Sequence, residues 1–256
     1  MSNDLVSIIM MSHDSSPYVE ETVRSVMAQT YTNWELLFVD DSSQDDTIVK
    51  MMELKGNDPR FKIFQTVYAR GVSENRNASL RDARGRWIAF LDVGDVWAPT
   101  KLERQIAFME ENGYAFSYTC YGLMNNRSQN RGVVVGGMEH VTYKEMLKCC
   151  WPAYMTVMYD ARKVKRVRVR NIRKNNDYAL WLHISEKVDC HLLAENLATM
   201  RTPWGRLGRF LRTDKVKWRY EVYRVEEDLG RVTSFLYTIR NGWYGMMKWM
   251  RFVKRA

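Results

Sequence analysis

The chain has 256 residues, 46% of them hydrophobic and 27% charged, which is the composition of a globular protein and excludes a disordered one. The net charge of +9 lies wholly in the C-terminal part: residues 1–200 carry 25 basic and 25 acidic side chains, and residues 201–256 carry 14 and 5. No apolar run approaches the roughly 18 residues of a membrane span. The four cysteines lack CxxC spacing, which indicates free thiols in a reducing compartment.

Strands and helices are expected to alternate along the first half of the chain. The start of the chain has no basic leader, so the apolar run at 6–11 is expected to be a first strand and not a signal peptide. Further strands are predicted at 35–39, 61–65 and 87–91, and helices at 20–28, from 45 onward, at 73–83 and at 99–112. This alternation favours a parallel, doubly wound α/β sheet flanked by helices.

Acidic side chains follow two of the predicted strands. Asp40 and Asp41 come at the end of the second strand, and Asp92 and Asp95 come at the end of the fourth. Ligands of open α/β sheets bind outside the carboxyl ends of the strands, so these acids are well placed to hold a divalent cation and a polyphosphate. The alternative is that they only form helix caps and Asx turns.

Three stretches resemble inverting family 2 glycosyltransferases of the GT-A fold. They are VSIIMMSHDSSPYVEETVRSVMAQTYTNWELLFVDDSSQDDT at 6–47, GVSENRNASLRDARGRWIAFLDVGDVWAPTKLERQI at 71–106 and NNDYALWLHI at 175–184. The resemblance covers about residues 5–200. It implies a GT-A, Rossmann-like, mainly parallel sheet as the catalytic domain over residues 1–200, with residues 201–256 as a basic helical extension.

The resemblance also implies how a UDP-sugar donor is held. In that family the second Asp of the VDD motif bonds the uracil, which falls on Asp41, with Asp40 beside it. A carboxylate that accepts the ring N–H makes a charge-assisted bond. Asp92 corresponds to the acid near the ribose, and Arg76 to an arginine near the diphosphate. For Arg76 a solvated position on its helix remains an alternative.

A divalent cation, Mn or Mg, is the cofactor implied by the acidic motif after the fourth strand. The family usually has DxDD there, with the third position ligating the metal, and in this chain that position is Gly94. Ligation would therefore pass to Asp95, to Asp92 through water, or to a residue elsewhere. Few protein ligands are needed, because phosphates and water complete the octahedron.

Asp177 matches the catalytic base of the family. Its carboxylate would take the proton of the acceptor hydroxyl as that oxygen attacks the anomeric carbon. The alternative is an N-cap of the helix predicted at 178–186. Asn176 stands where the family more often has Glu. Together with Gly94, it leaves open a nucleotide-sugar binder without activity.

The C-terminal extension combines basic charge with a regular apolar pattern. One apolar stripe on a helix is predicted from the 4,3 spacing of Val225, Leu229, Val232, Leu236, Ile239, Trp243, Met246, Met250 and Val253, with Gly242 and Gly245 as potential breaks. The pattern suits a helix in the headgroup region of an anionic membrane. Packing on the catalytic domain, or on a second copy as a homodimer, remains an alternative. The segment 162–174, with eight cations and no acid, is either a solvated strand and loop or a phosphate-binding surface.

These observations predict transfer of a sugar from a UDP-sugar to a hydroxyl of a glycan or polyprenyl-linked acceptor in bacterial surface polysaccharide synthesis. The expected location is cytoplasmic, peripheral on the inner face of the cytoplasmic membrane. The rival from another class is a module that binds nucleic acid through its basic tail. The tail's aromatic residues fall partly on the apolar stripe instead of among the cations, so nucleic acid is not expected as a partner.

Overall fold

The computed structural model describes residues 3–66, 71–165, 167–170, 172, 174–202 and 213–255. Its strands in these ranges are β1 (Val6–Ser12), β2 (Trp34–Asp40), β3 (Phe61–Gln65), β4 (Trp87–Phe90), β5 (Val96–Trp97), β6 (Phe116–Met124), β7 (Asn130–Val135), β8 (His140–Val141), β9 (Met158–Asp160), β10 (Cys190–Arg201) and β11 (Val253–Arg255). The α-helices are α1 (Val19–Met27), α2 (Thr47–Lys55), α3 (Val72–Asp82), α4 (Lys101–Glu111), α5 (Tyr143–Met146), α6 (Ala161–Val164), α7 (Asn176–Ser185), α8 (Thr213–Val225) and α9 (Arg231–Phe252).

One twisted, mixed sheet runs through the molecule in the order β11-β7-β6-β9-β4-β1-β2-β3. The half built from β4, β1, β2 and β3 is parallel. β9 pairs antiparallel with β4 and with β6, and β10 lies parallel to β6. The four parallel strands end at the same edge, so the loops that follow them are neighbours. The predicted α/β class is confirmed.

Helices cover both faces of the sheet because its central strands are apolar on both sides. Every residue of β1 and β2 is buried. Side chains alternate between faces along a strand, so Ile8 packs into one apolar core with the α1 valines, while its neighbour Ile9 packs into the other core with Trp181 of α7. The four strands and four helices predicted in the first half of the chain are present, with bounds shifted by at most two residues.

The segment 154–159 is extended only in its second half. Tyr154–Thr156 forms a 3-10 helix, and only Met158–Asp160 is extended, as β9. The Thr156 hydroxyl donates to the carbonyl oxygen of Ala153 at 2.6 Å, which closes the short turn. Strand pairing therefore begins only after Val157.

The prediction of a single helical stripe in the C-terminal extension was wrong. The chain leaves the helix after Val225 and begins α9 at Arg231, so the stripe divides between two helices, while Gly242 and Gly245 lie within α9 without breaking it. Val222 and Tyr223 of α8 are buried in the core, and β11 adds to β7 as an antiparallel strand. Within the described residues, no helix is long and apolar enough to cross a membrane.

Candidate active site

Asp40 at the end of β2 holds the turn that follows. Its carboxylate is fully buried and accepts hydrogen bonds from the backbone N–H and the hydroxyl of Ser43. Both bonds reach the residue three positions further on, and they hold the loop in which the next residue, Asp41, leaves the sheet.

Asp41 joins the loops after β1 and β2 to helix α3. Its Oδ1 accepts hydrogen bonds from Asn75 Nδ2 at 2.8 Å and from Thr66 Oγ1 at 3.2 Å. Its backbone N–H donates to the carbonyl oxygen of Ser12 at 2.9 Å, and its own carbonyl oxygen lies 2.8 Å from His13 Nδ1. Both side-chain donors meet the same carboxylate oxygen, and the residue is partly exposed.

Arg76 of α3 is buried beside the start of α7. The residue is only 3% exposed, and its Nη1 donates to Oδ1 of Asn176. Its guanidinium carbon lies 4.6 Å from the ring centroid of Tyr154 in the 3-10 helix, which is a cation–π contact. Arg76 is therefore not a solvated helix arginine. It is a fixed positive charge inside the site.

Asp177 lies close enough to Asp92 for its negative charge to affect the pKa of Asp92. Desolvation raises the pKa of Asp92 to about 6, the positive charge of Arg76 opposes that rise, and the negative charge of Asp177 adds to it. Both carboxylates remain partly open to solvent. Two acids and an arginine thus lie close together, although the two acids are 85 positions apart in the chain.

Asp177 projects from the first turn of α7. The helix begins at Asn176. Asn175 directly precedes it as the N-cap and has a left-handed φ of 57°. Asp177 is therefore the second helical residue and not the N-cap. Tyr178, Leu180 and Trp181 of the same helix are buried. These buried side chains anchor α7, and they hold Asp177 near Asp92, which follows β4.

Gly94 and Asp95 form a tight loop that Thr22 and Arg201 hold in place. Gly94 has a φ of +112°, a conformation that side chains rarely adopt. Its N–H donates to Thr22 Oγ1, and its carbonyl oxygen accepts from Arg201 Nε, both at 2.9 Å. Asp95 Oδ1 accepts from the backbone N–H of Arg201 at 2.8 Å, and its carbonyl oxygen accepts from Thr22 Oγ1.

The donor set at the end of β4 fits a divalent cation such as Mg²⁺ or Mn²⁺. Asp92 and Asp95 offer carboxylate oxygens, which these hard cations prefer, and a cation would favour the ionised form of Asp92, whose pKa is raised first by burial and then by the charge of Asp177. Within the described ranges no group of three His, Cys, Asp or Glu side chains could hold a metal. A cation here would take its remaining ligands from the donor phosphates and water.

The fold brings the candidate residues Asp41, Arg76, Asp92, Asp95 and Asp177 to one edge of the sheet, with Asp40 buried behind them. Sequence reasoning missed the residues that hold them: Thr22, Thr66, Asn75, Tyr154 and Arg201. Arg201 contacts Gly94 across 107 residues of chain, so no local pattern could have indicated it. Asn75 lies in a stretch that was recognised, one residue before Arg76.

The parallel sheet, with its acids at the ends of β2 and β4, is the architecture of the GT-A glycosyltransferases. The model of the family described as glycosyl transferase family 2 matches residues 7–148. The chain belongs to this family and is a glycosyltransferase.

Two curated relatives span most of the chain. It is 40% identical over 187 residues to the Escherichia coli UDP-Glc:alpha-D-GlcNAc-diphosphoundecaprenol beta-1,3-glucosyltransferase WfgD, covering 72% of this chain and 71% of that protein. It is 36% identical over 183 residues to the putative teichuronic acid biosynthesis glycosyltransferase TuaG of Bacillus subtilis, covering 72% and 73%.

Solved structures with lower sequence identity to this chain share its fold. The crystal structure of S. aureus TarS 1-349 in complex with UDP-GlcNAc matches with a TM-score of 0.69 and 19% identity, over 90% of this chain and 71% of that one. The Pyrobaculum calidifontis mannosyltransferase PcManGT in complex with GDP-Man and Mn2+ matches with a TM-score of 0.67 and 12% identity, over 97% and 73%.

Proposed function

We propose that this glycosyltransferase moves a sugar from a UDP-sugar to a hydroxyl of a glycan or polyprenyl-diphosphate-linked acceptor, with inversion, in bacterial polysaccharide biosynthesis. The observation that carries the proposal is the meeting of Asp92 and Asp177 around buried Arg76, at the sheet edge where Asp41 also lies. The activity named for the E. coli relative supports the donor and acceptor classes.

On the donor side, Asp41 accepts the N3–H of uracil, and Asp92 lies by the ribose and the diphosphate. Asn75 and Thr66 keep the Asp41 carboxylate oriented, so little rotamer freedom is lost when the base binds. Arg76 supplies a positive charge whose position is fixed by Asn176 and Tyr154. Such a preorganised charge stabilises negative charge that develops on the leaving group.

On the acceptor side, Asp177 removes the proton from the attacking hydroxyl. The hydroxyl oxygen forms a bond to the anomeric carbon on the face opposite the nucleotide, the carbon–oxygen bond to the diphosphate breaks, and UDP departs with that electron pair. One displacement of this kind inverts the anomeric centre. The proton remains on the Asp177 carboxylate until solvent takes it.

A Mg²⁺ or Mn²⁺ ion held by Asp92 and Asp95 would neutralise charge on the departing diphosphate. Asp95 is kept in place for this role by the backbone N–H of Arg201, and the Gly94 carbonyl by the Arg201 guanidinium. Both contacts orient the loop whether or not a metal is bound.

The proposed place of the reaction is the cytoplasmic face of the membrane, with the protein attached peripherally. The relative WfgD is named for an acceptor carried on diphosphoundecaprenol, a lipid that does not leave the bilayer. An enzyme for such an acceptor has to work at the membrane surface. The basic C-terminal extension supports this placement, because cytoplasmic leaflets are anionic.

Calorimetric titration with UDP, GDP and CDP, each with Mn²⁺ and with EDTA, tests the donor site. We expect UDP to bind more tightly than the other two and more tightly with metal. No binding of any nucleotide would refute the donor assignment. UDP binding without transfer from any UDP-sugar would favour the alternative of a binder without activity.

A further inference from the structure

The residues that helix α9 buries most deeply against the rest of the protein are small or polar, and the partly buried aromatic residues Tyr237, Tyr244, Trp249 and Phe252 pack beside them. The side chains that it buries are those of Ser234, Thr238 and Asn241, and Gly245 lies on the same side. These positions recur every three or four residues, so they form a single stripe along the helix. A surface helix of a globular protein normally buries its apolar stripe instead.

Eight apolar residues of α9 lie on the opposite side and face solvent. Val232 is 74% exposed, Trp243 58% and Met250 70%. The outer apolar face, as we call it, consists of Val232, Phe235, Leu236, Ile239, Trp243, Met246, Met247 and Met250, all of which are exposed. Contiguous apolar surface of this extent on a monomer marks an interaction site.

The charges that α9 and β11 themselves carry are all of one sign. Residues 231–255 contain six basic side chains and no Asp or Glu. Helical geometry places Arg240 and Arg251 along one border of the outer apolar face and Arg231 along the other. Lys254 and Arg255 follow at the C-terminal end and are exposed. An apolar face bordered by cations complements a lipid surface with anionic headgroups.

We propose that α9 docks in the headgroup region of an anionic membrane, with the outer apolar face inserted among the lipids. A second copy of the chain fits this face less well. Two α9 helices packed face to face would bring eight cations together with no acid on either helix to pair with them. Lipid phosphates supply the missing negative charge.

The inner side of α9 connects this surface to the active site. Asn241 Nδ2 donates to the hydroxyl oxygens of Tyr178 at 3.1 Å and Tyr223 at 3.0 Å, and Tyr178 directly follows Asp177. Lys248 Nζ donates to the carbonyl oxygen of Trp151 at 2.5 Å. A helix is about 10 Å across, so docking would hold α7 and its base within a short distance of the lipid surface. The functional reason for holding the base near the lipid rests on the proposed lipid-linked acceptor, whereas the docking itself does not.

Flotation with lipid vesicles tests the proposal on the full chain. The vesicles are phosphatidylcholine alone or phosphatidylcholine with about one third phosphatidylglycerol. We expect the wild type to float with the anionic vesicles, less so at high salt. The triple variant Leu236→Ser/Ile239→Ser/Trp243→Ser should lose about tenfold or more in vesicle affinity, because three apolar side chains leave the inserted face.

The matched control is Val49→Ser/Met52→Ser on α2, which removes two exposed apolar residues elsewhere and should bind vesicles like the wild type. Absence of flotation by the wild type, or undiminished flotation of the triple variant, would overturn the proposal. So would a wild-type dimer in analytical ultracentrifugation that the triple variant converts to monomer. UDP affinity is measured in parallel: its failure would count against the donor site and leave the docking result standing.

Discussion

Asp41 combines a carboxylate oxygen held by protein donors with a position at the nucleotide edge of the sheet. Asp41→Asn preserves the shape but replaces the charged acceptor by a neutral amide. We expect UDP affinity to fall about 10- to 100-fold, because a charge-assisted hydrogen bond becomes a neutral one. The preference for UDP over CDP should fall as well, since cytosine has no N3–H to donate. Calorimetric titration with both nucleotides measures this.

Asp46→Asn is the control for that substitution. Asp46 lies five residues further on, is exposed, and makes no side-chain cap to α2, so the charge change is the same without the proposed contact. If Asp46→Asn weakened UDP binding as much as Asp41→Asn, the effect would be one of general charge and the role assigned to Asp41 would be wrong.

At the level of single residues, the sequence located the acids but not their supports. Asp41 and Asp92 were predictable because a buried strand ends at each, and parallel strands end at one edge. Tyr154 and Arg201 reach the site through side-chain contacts made across the fold, at Arg76 and at the Gly94 loop. Contacts of that kind leave no periodic pattern in the sequence.

The loop after β4 depends on a backbone conformation that favours glycine. A Cβ at Gly94 would meet no atom within 4 Å, so the penalty for a side chain at φ +112° is backbone strain and not a clash. Gly94→Asp, which introduces the acid usual in the family, should lower stability by about 1–3 kcal/mol and weaken Mn²⁺-dependent UDP binding. Chemical denaturation and calorimetry measure the two effects.

Gly230→Ala serves as a control for loss of a glycine, because Gly230 has an ordinary φ of −58° and open space around it. It should change stability by only a few tenths of a kcal/mol. Tighter metal-dependent binding by Gly94→Asp would show instead that the loop readily adopts the geometry usual in the family.

At the level of elements, the spacing of apolar residues predicted the strands of the core well. It predicted poorly which side of α9 packs against the protein. The strands β1, β2 and β4 followed their apolar runs closely. The 4,3 stripe of the C-terminal extension did indicate a helix face, yet on α9 that face points outward. Asn241 binds Tyr178 and Tyr223 on the inner side, and a period of apolar residues cannot reveal such a polar contact.

On the scale of the whole molecule, the buried Glu35 joins the sheet to the surrounding loops. Burial alone would raise its pKa, but hydrogen bonds from Lys62, Ser7 and Arg84 outweigh this and hold the pKa below the ordinary 4.5. The ionised form therefore stabilises the fold above that pH, and the contribution is lost as the pH falls through the lower folded-state pKa. Glu35→Gln should destabilise the protein by about 2–3 kcal/mol at neutral pH.

Urea denaturation of the wild type and Glu35→Gln between pH 7 and pH 3 measures this contribution. The difference between the two should be full at neutral pH and should shrink below pH 4.5. A difference that stays constant with pH would mean that Glu35 acts through shape and hydrogen bonding alone. Glu53→Gln on the exposed side of α2 is a control with the same change of charge.

Charge composition does not show how the C-terminal part of the chain packs on the rest. A separate basic extension was expected from residue 201, and its charge is real. Val222 and Tyr223 nevertheless complete the core, and β11 extends the central sheet. Charge composition reports what faces solvent, whereas these contacts are made by a few apolar residues and backbone groups.

The rate of sugar transfer by Asp177→Asn at saturating UDP-sugar tests the central claim most directly. If Asp177 is the base, the rate should fall about 10²- to 10⁴-fold while UDP affinity stays near that of the wild type. Glu186→Gln, a substitution of the same charge at the other end of α7, should transfer at the wild-type rate. Transfer by Asp177→Asn at a rate close to the wild type would contradict the account and assign the proton to another group.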